Sequence, residues 1–297
     1  MKHEVELLTE TVVCSELTVR DYKEILKCSF GDQPDKKTFI TTISDVLSIV
    51  TNKPQEWVLN SSVVDIFLLL LKIKINSHGE SCTIVVSKEE KKINVELGFD
   101  HIYEDIKQWF SPFLNKNIID QKVQVTFDSP SLSMLLEEEE DEILYFIKGC
   151  KILESNNKLL KPNCLKESKM LFESLPPKLV SDIYAHYNSF AKEIFNKNLL
   201  SRYPLIGNEQ KLMFSPSLDS LIWFTKLMFN EPLDGFYDNL FYLTNLGHFS
   251  TDYIERCTPG EYVYFTKKLE YTLSRQQASG ETESFRNPEE EFVEGLL

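Results

Sequence analysis

Glycine is scarce, ten residues in 297. It never falls into the Gly-x-Gly-x-x-Gly or Gly-Lys-Ser spacing whose backbone amides cradle phosphate, which excludes the common nucleotide loops. No Gly-x-Ser-x-Gly elbow presents a serine nucleophile. The five histidines, His3, His78, His101, His186 and His248, stand far apart, and none has the spacing of a metal ligand pair. The six cysteines, Cys14, Cys28, Cys82, Cys150, Cys164 and Cys257, are equally scattered. They read as buried thiols of a reducing compartment rather than as a disulfide framework. The longest apolar run, Ile66 to Leu71, falls far short of the roughly 20 residues a bilayer span needs. The N-terminus carries charges where a secretory signal places an apolar stretch. Cations are also in deficit, 32 Lys and Arg against 46 Asp and Glu. A net charge of −14 has the wrong sign for nucleic acid or an anionic membrane. The expectation is a cytosolic chain that uses no cofactor, no metal, no nucleic acid and no membrane insertion.

What is present is globular: 42% hydrophobic residues and 12% aromatics, enough to bury a core over one large or two ordinary domains. Val12-Val13-Cys14 reads as a short edge strand. Thr18 with Asp21 starts a helix that Gly31 ends, and Asp35 starts another that Pro54 breaks. From Ser61 a buried helix turns into a strand at Lys72 to Asn76. Cys82 to Val86 and Ile93 to Phe99 form a hairpin with a charged tip. Asp100 caps a helix that Pro112 halts. Lys122 to Phe127 alternates and supplies a third strand to the hairpin's sheet. Ser131 to Leu136 is helical, and the acidic run Glu137 to Glu142 leads into Ile143, Leu144, Phe146 and Ile147. Gly149 to Pro162 has the Gly, Ser, Asn and Pro content of a boundary. Residues 1–150 thus read as an α+β domain with a small antiparallel sheet packed on helices.

Beyond that boundary strand signals nearly vanish, and residues 151–276 read as a mostly α-helical domain. Leu165 to Leu175 is helical, Pro176 and Pro177 interrupt it, and a longer helix buries Leu179, Ile183, Tyr187, Phe190 and Ile194. Tyr203 to Ile206 connects this to three aromatic helices. Ser215 is expected to cap the first, with Pro216 at its first position, and its apolar residues cover most of the circumference. The second carries Phe236, Tyr237, Leu240, Phe241, Leu243 and Leu246 and ends at Gly247. Thr258-Pro-Gly-Glu261 has the form of a capping box for the third, which buries Tyr262, Phe265 and Leu269. Residues 277–297 form an acidic tail, expected to stay flexible until something binds it. The aromatics from Phe214 to Phe265 exceed what one small helical unit buries. Tyr242, Phe249, Tyr253 and Tyr264, off the main apolar faces or in turns, are the expected partner interface. No catalytic residue stands out. Among 46 acids a carboxylate pair is always available, but no spacing points to one.

The stretch Leu17-Thr-Val-Arg-Asp-Tyr-Lys-Glu-Ile-Leu-Lys-Cys28, followed by Gly31-Asp32, resembles the start of T4-like phage baseplate hub proteins. The acidic helix ending Glu142-Ile-Leu-Tyr-Phe-Ile-Lys-Gly-Cys150 and the Thr258 helix start fit the same family, so the likeness spans about Leu17 to Leu273. It implies a structural or assembly component of a contractile-tail baseplate hub, assembled in the host cytoplasm and located in the virion. Its implied partners are other tail and baseplate proteins, the hub, tube tip or tape-measure protein among them. Two alternatives stand beside it. One is a transient assembly chaperone absent from the virion. The other is a hydrolase working through buried carboxylates.

Overall fold

The computed structural model describes residues 1–30, 35–88, 91–120, 122–137, 141–153, 159–202 and 212–279. Its class is α+β, with small antiparallel sheets in the first half and helices alone toward the C-terminus. Strands β1 (Lys2–Glu6) and β2 (Thr11–Ser15) pair antiparallel, and Val5, Val12 and Cys14 turn inward at alternate positions. Helix α1 (Val19–Phe30) starts at Thr18, whose N–H and hydroxyl both donate to Asp21. Asp35 caps α2 (Lys36–Thr51), and Asn52 ends it in the left-handed region. A short α3 (Gln55–Asn60) follows Pro54.

Helix α4 (Val63–His78) is the axis of the molecule, and every side chain from Val63 to Leu71 is buried. Ser62 caps it, accepting from Asp65 N–H. The strand expected at Lys72 to Asn76 does not form. No glycine or proline interrupts the helix before Gly79, whose φ of +115° lets the chain leave.

Strands β3 (Ser81–Lys88) and β4 (Lys91–Gly98) form the expected hairpin. The expected third strand joins a different sheet. Helix α5 (Phe99–Phe110) carries the chain away, and β5 (Lys116–Asp120), β6 (Val123–Phe127), β7 (Ile147–Ile152) and β8 (Leu159–Leu160) make a four-stranded sheet in that order. A short connection puts β5 next to β6 before the distant hairpin can compete. The α5 cap is Gly98, not Asp100, which instead accepts from Lys72 Nζ at 2.6 Å. Ser133–Leu136 and Glu142–Phe146 are 3-10 turns. The acidic stretch therefore leads into strand β7 rather than helix, and Ile147 and Cys150 both reach the core beside β6 because a register shift lies between them.

Helices α6 (Leu165–Glu173), α7 (Pro177–Ile194), α8 (Leu218–Met228), α9 (Leu233–Asn245), α10 (Thr251–Arg256) and α11 (Pro259–Ser279) complete the described chain. The α8 cap is Ser217, not Ser215, and Pro216 lies outside the helix. Ser217 N–H donates to Ser215 O in a tight turn, and the Ser217 hydroxyl accepts from Ser220 N–H while sharing a hydrogen bond with the Ser215 hydroxyl. Helix α11 runs past Gln276 to Ser279. Gly31, the hairpin residues 89–90, Tyr203 to Ile206 and the tail from 280 fall outside the described residues. The C-terminal helices close over α4 and α1. Phe67 stacks on Phe214 at 4.1 Å and meets Phe224 edge-on, while Tyr22 packs against Phe229 and Phe236. The buried side chains of both halves form one continuous cluster.

Candidate interaction surface

Helix α9 shows how the aromatics divide. Phe236 and Leu243, seven residues apart, are fully buried, and Tyr262 on α11 donates its hydroxyl to Phe236 O at 2.9 Å. Tyr237, Phe241, Tyr242 and Leu246 occupy the solvent side, with Phe241 61% exposed. On α11, Tyr262 and Leu269 face in while Tyr264, 58% exposed, and Tyr271 face out. Trp223 on α8 is exposed as well, so that helix is not buried all round. Exposed large aromatics thus lie on three helices of one helical unit.

Of the four residues expected to form the interface, Tyr242 and Tyr264 are on the surface, on separate helices. Tyr253 is half-buried. Phe249 is in the core at 3% exposure, contrary to expectation. The reason is the turn after α9. His248 adopts φ +57°, and Gly247 sits so close to Leu243 O that a Cβ would lie 2.8 Å from it. The chain folds back, and the Phe249 ring lands on Phe265 at 5.1 Å and on Tyr253 at 5.9 Å. The α10 helix is tied to α1 by Glu255, which accepts from Lys23 at 2.5 Å and Arg20 at 2.9 Å. Those hydrogen bonds, Lys23's first, hold its carboxyl below the usual range.

A second feature was not visible in the sequence. Asp65, the one acid in the buried first turns of α4, accepts from Leu8 N–H (2.7 Å) and Thr9 Oγ1 (2.8 Å), tying down the β1–β2 turn. The segment after β6 clasps the same helix start: Val63 N–H donates to Pro130 O and Leu132 N–H to Ser61 O. This brings Asp128 alongside. Lys148 then enters from a bulge in β7, where Thr126 pairs with Gly149 and Phe127 with Ile147, leaving Lys148 without a cross-strand partner. Asp65, Asp128 and Lys148 line a cavity of about 450 Å³ whose mouth carries Glu10, Glu56 and Trp57. Burial pushes the Asp128 carboxyl up to about 6 and raises Asp65 as well, while it lowers Lys148. The positions lie 63 and 20 residues apart in the chain, so no local spacing could reveal them. The only signals were a lone acid and a lone lysine inside apolar runs.

Among the described residues no three His, Cys, Asp or Glu side chains converge to hold a metal ion, and no helix is long and apolar enough to cross a membrane. A family model described as T4 bacteriophage base plate protein matches residues 1–194. That stretch contains the Asp65–Asp128–Lys148 cavity and ends with α7, so the exposed aromatics of α8, α9 and α11 lie beyond it. No curated protein and no solved structure matches the chain significantly.

Proposed function

The chain belongs to the T4 bacteriophage base plate protein family, and from that premise we propose that it is a structural or assembly component of the baseplate hub of a contractile tail. Family membership implies a baseplate component of the virion tail, associated with other tail proteins. Our reading is narrower: the contact is made through the aromatic helices, with a hub, tube-tip or tape-measure protein as partner. The observation that carries it is the set of exposed aromatics, Tyr237, Phe241, Tyr242, Tyr264 and Tyr271, on helices whose opposite faces already fill the core. Aromatics are the usual anchors of interfaces, and a stable interface of roughly 1,200–2,000 Å² takes most of its energy from a few of them. The acidic surface steers encounter and disfavours wrong partners.

The same face suits an assembly chaperone that covers apolar parts of the hub and then leaves. Mass spectrometry of purified virions separates the two, since a hub component stays and a chaperone does not. The hydrolase alternative has one observation behind it, the raised Asp128 carboxyl. Both oxygens of the neighbouring Asp65 are committed to the β1–β2 turn, and we read the cavity as non-catalytic. The test is co-purification of the tagged chain from infected cells. Tail proteins should accompany the wild type and be lost from a Phe241→Ala/Tyr242→Ala/Tyr264→Ala variant of unchanged stability. Suppose instead that the variant retains its partners while physiological salt strips them from the wild type. The contact is then electrostatic and the aromatic face is not the interface.

A further inference from the structure

Lys148 also lines a second cavity, of about 420 Å³, on the other side of Asp128. Its far wall is Lys161, just after β8, with Asn60, Ser131 and Asn163 adding polar groups and Leu159 an apolar one. Among the described residues neither lysine has a hydrogen bond or ion pair. Lys161 is near enough to oppose the charge on Lys148, whose only counter-charges are Asp128 and, more remotely, Asp65. Two ammonium groups, one half-buried and one exposed, thus face a polar cavity whose lining holds a single acid, Asp128, which leaves the site short of negative charge. The β8 rim beside it exposes Leu159 and Leu160.

We propose that this cavity seats carboxylates of the chain's own acidic stretch, residues 280–297. That stretch holds six glutamates, Glu281, Glu283, Glu289, Glu290, Glu291 and Glu294, against a single Arg286. Phe292, Val293, Leu296 and Leu297 are interleaved with the last of them and match the apolar rim. A separate acidic partner would be repelled by a chain of net charge −14. A tethered segment overcomes that repulsion because its effective concentration is on the order of millimolar. Reach is no obstacle. From Ser279 the stretch spans up to about 60 Å extended, against a radius of gyration of roughly 19 Å for a compact chain of this length. Asp128 in the shared wall penalises a phosphate dianion more than a carboxylate, which favours the tail chemistry over a phosphorylated ligand.

The test is cleavage of the full chain by a glutamyl endopeptidase at low salt, with release of tail fragments followed by mass spectrometry. When seating is fast, the cleavage rate reports the unseated fraction. Lys161→Glu, an exposed substitution that leaves the fold alone, should speed tail cleavage about ten-fold, and about 0.5 M salt should bring the wild type to the same rate. Lys148→Gln should act in the same direction. Lys268→Glu, on the exposed face of α11 near the root of the tail, should change nothing. Equal cleavage of wild type and Lys161→Glu at low salt overturns the proposal. So does an equal acceleration by Lys268→Glu, which would mean diffuse attraction to any lysine.

Discussion

Replacing Thr258 by alanine tests whether the start of α11 is a real capping box. Thr258 Oγ1 accepts from Glu261 N–H at 3.2 Å, and Glu261 Oε2 accepts from Thr258 N–H at 2.7 Å. The substitution removes the first bond and leaves the second without its geometric partner. An N-cap hydroxyl is worth about 1 kcal/mol, so the denaturant midpoint should fall by that loss divided by the slope, with the slope itself unchanged. In a melt the same loss corresponds to about 2–4 °C for a chain of this size class. The effect should not stay local. The first turn of α11 abuts the end of α4, where a Cβ on Gly260 would lie 3.2 Å from Ser77 O, and the next residue but one is the buried Tyr262. A frayed first turn would therefore loosen the Tyr262 hydroxyl from Phe236 O. Glu261→Ala should cost less, because its carboxylate is exposed, and the double variant should cost less than the sum of the two singles. Chemical denaturation followed by circular dichroism reads all three. Strict additivity, or an unchanged midpoint for Thr258→Ala, would refute the box as a coupled unit.

Phe249 and Phe241 should separate core from surface. Phe249→Ala should cost about 3–5 kcal/mol of stability, whereas Phe241→Ala should stay within about 0.5 kcal/mol and lose partner binding instead. Asp128→Asn should stabilise the chain at neutral pH by about 1–3 kcal/mol. Burial raises this carboxyl from 3.8 to about 6, so the folded chain holds the proton more tightly than the unfolded one. Stability therefore falls as pH rises between those values and stays lower above them, and the variant should flatten that part of a melting-temperature–pH profile. Tyr22→Phe removes the hydroxyl that donates to Glu231 at 2.8 Å. It leaves a half-buried carboxylate with Asn239 alone, and should cost about 1 kcal/mol in the same denaturation assay.

The local elements were legible because their causes are local. Thr18 with Asp21, Asp35 and Thr258 with Glu261 are caps whose partners lie within three residues, and each starts a helix in the structure. The alternation of Val123, Val125 and Phe127 is enough to make β6 a strand. Which strand β6 pairs with was not legible, because hairpin and sheet are both satisfied by apolar alternation, and the choice fell to the short connection from β5 and to α5 standing between. Nor could helical periodicity place Phe249, whose burial depends on a left-handed residue at His248 and a glycine with no room for a Cβ. The charged cavity was the least legible feature. Asp65, Asp128 and Lys148 acquire shared meaning only when the β6 exit clasps the start of α4 and a bulge frees one lysine from its ladder. Caps and alternation are properties of neighbours along the chain. Burial of a charge is a property of everything packed around it, and only the tertiary structure decides that.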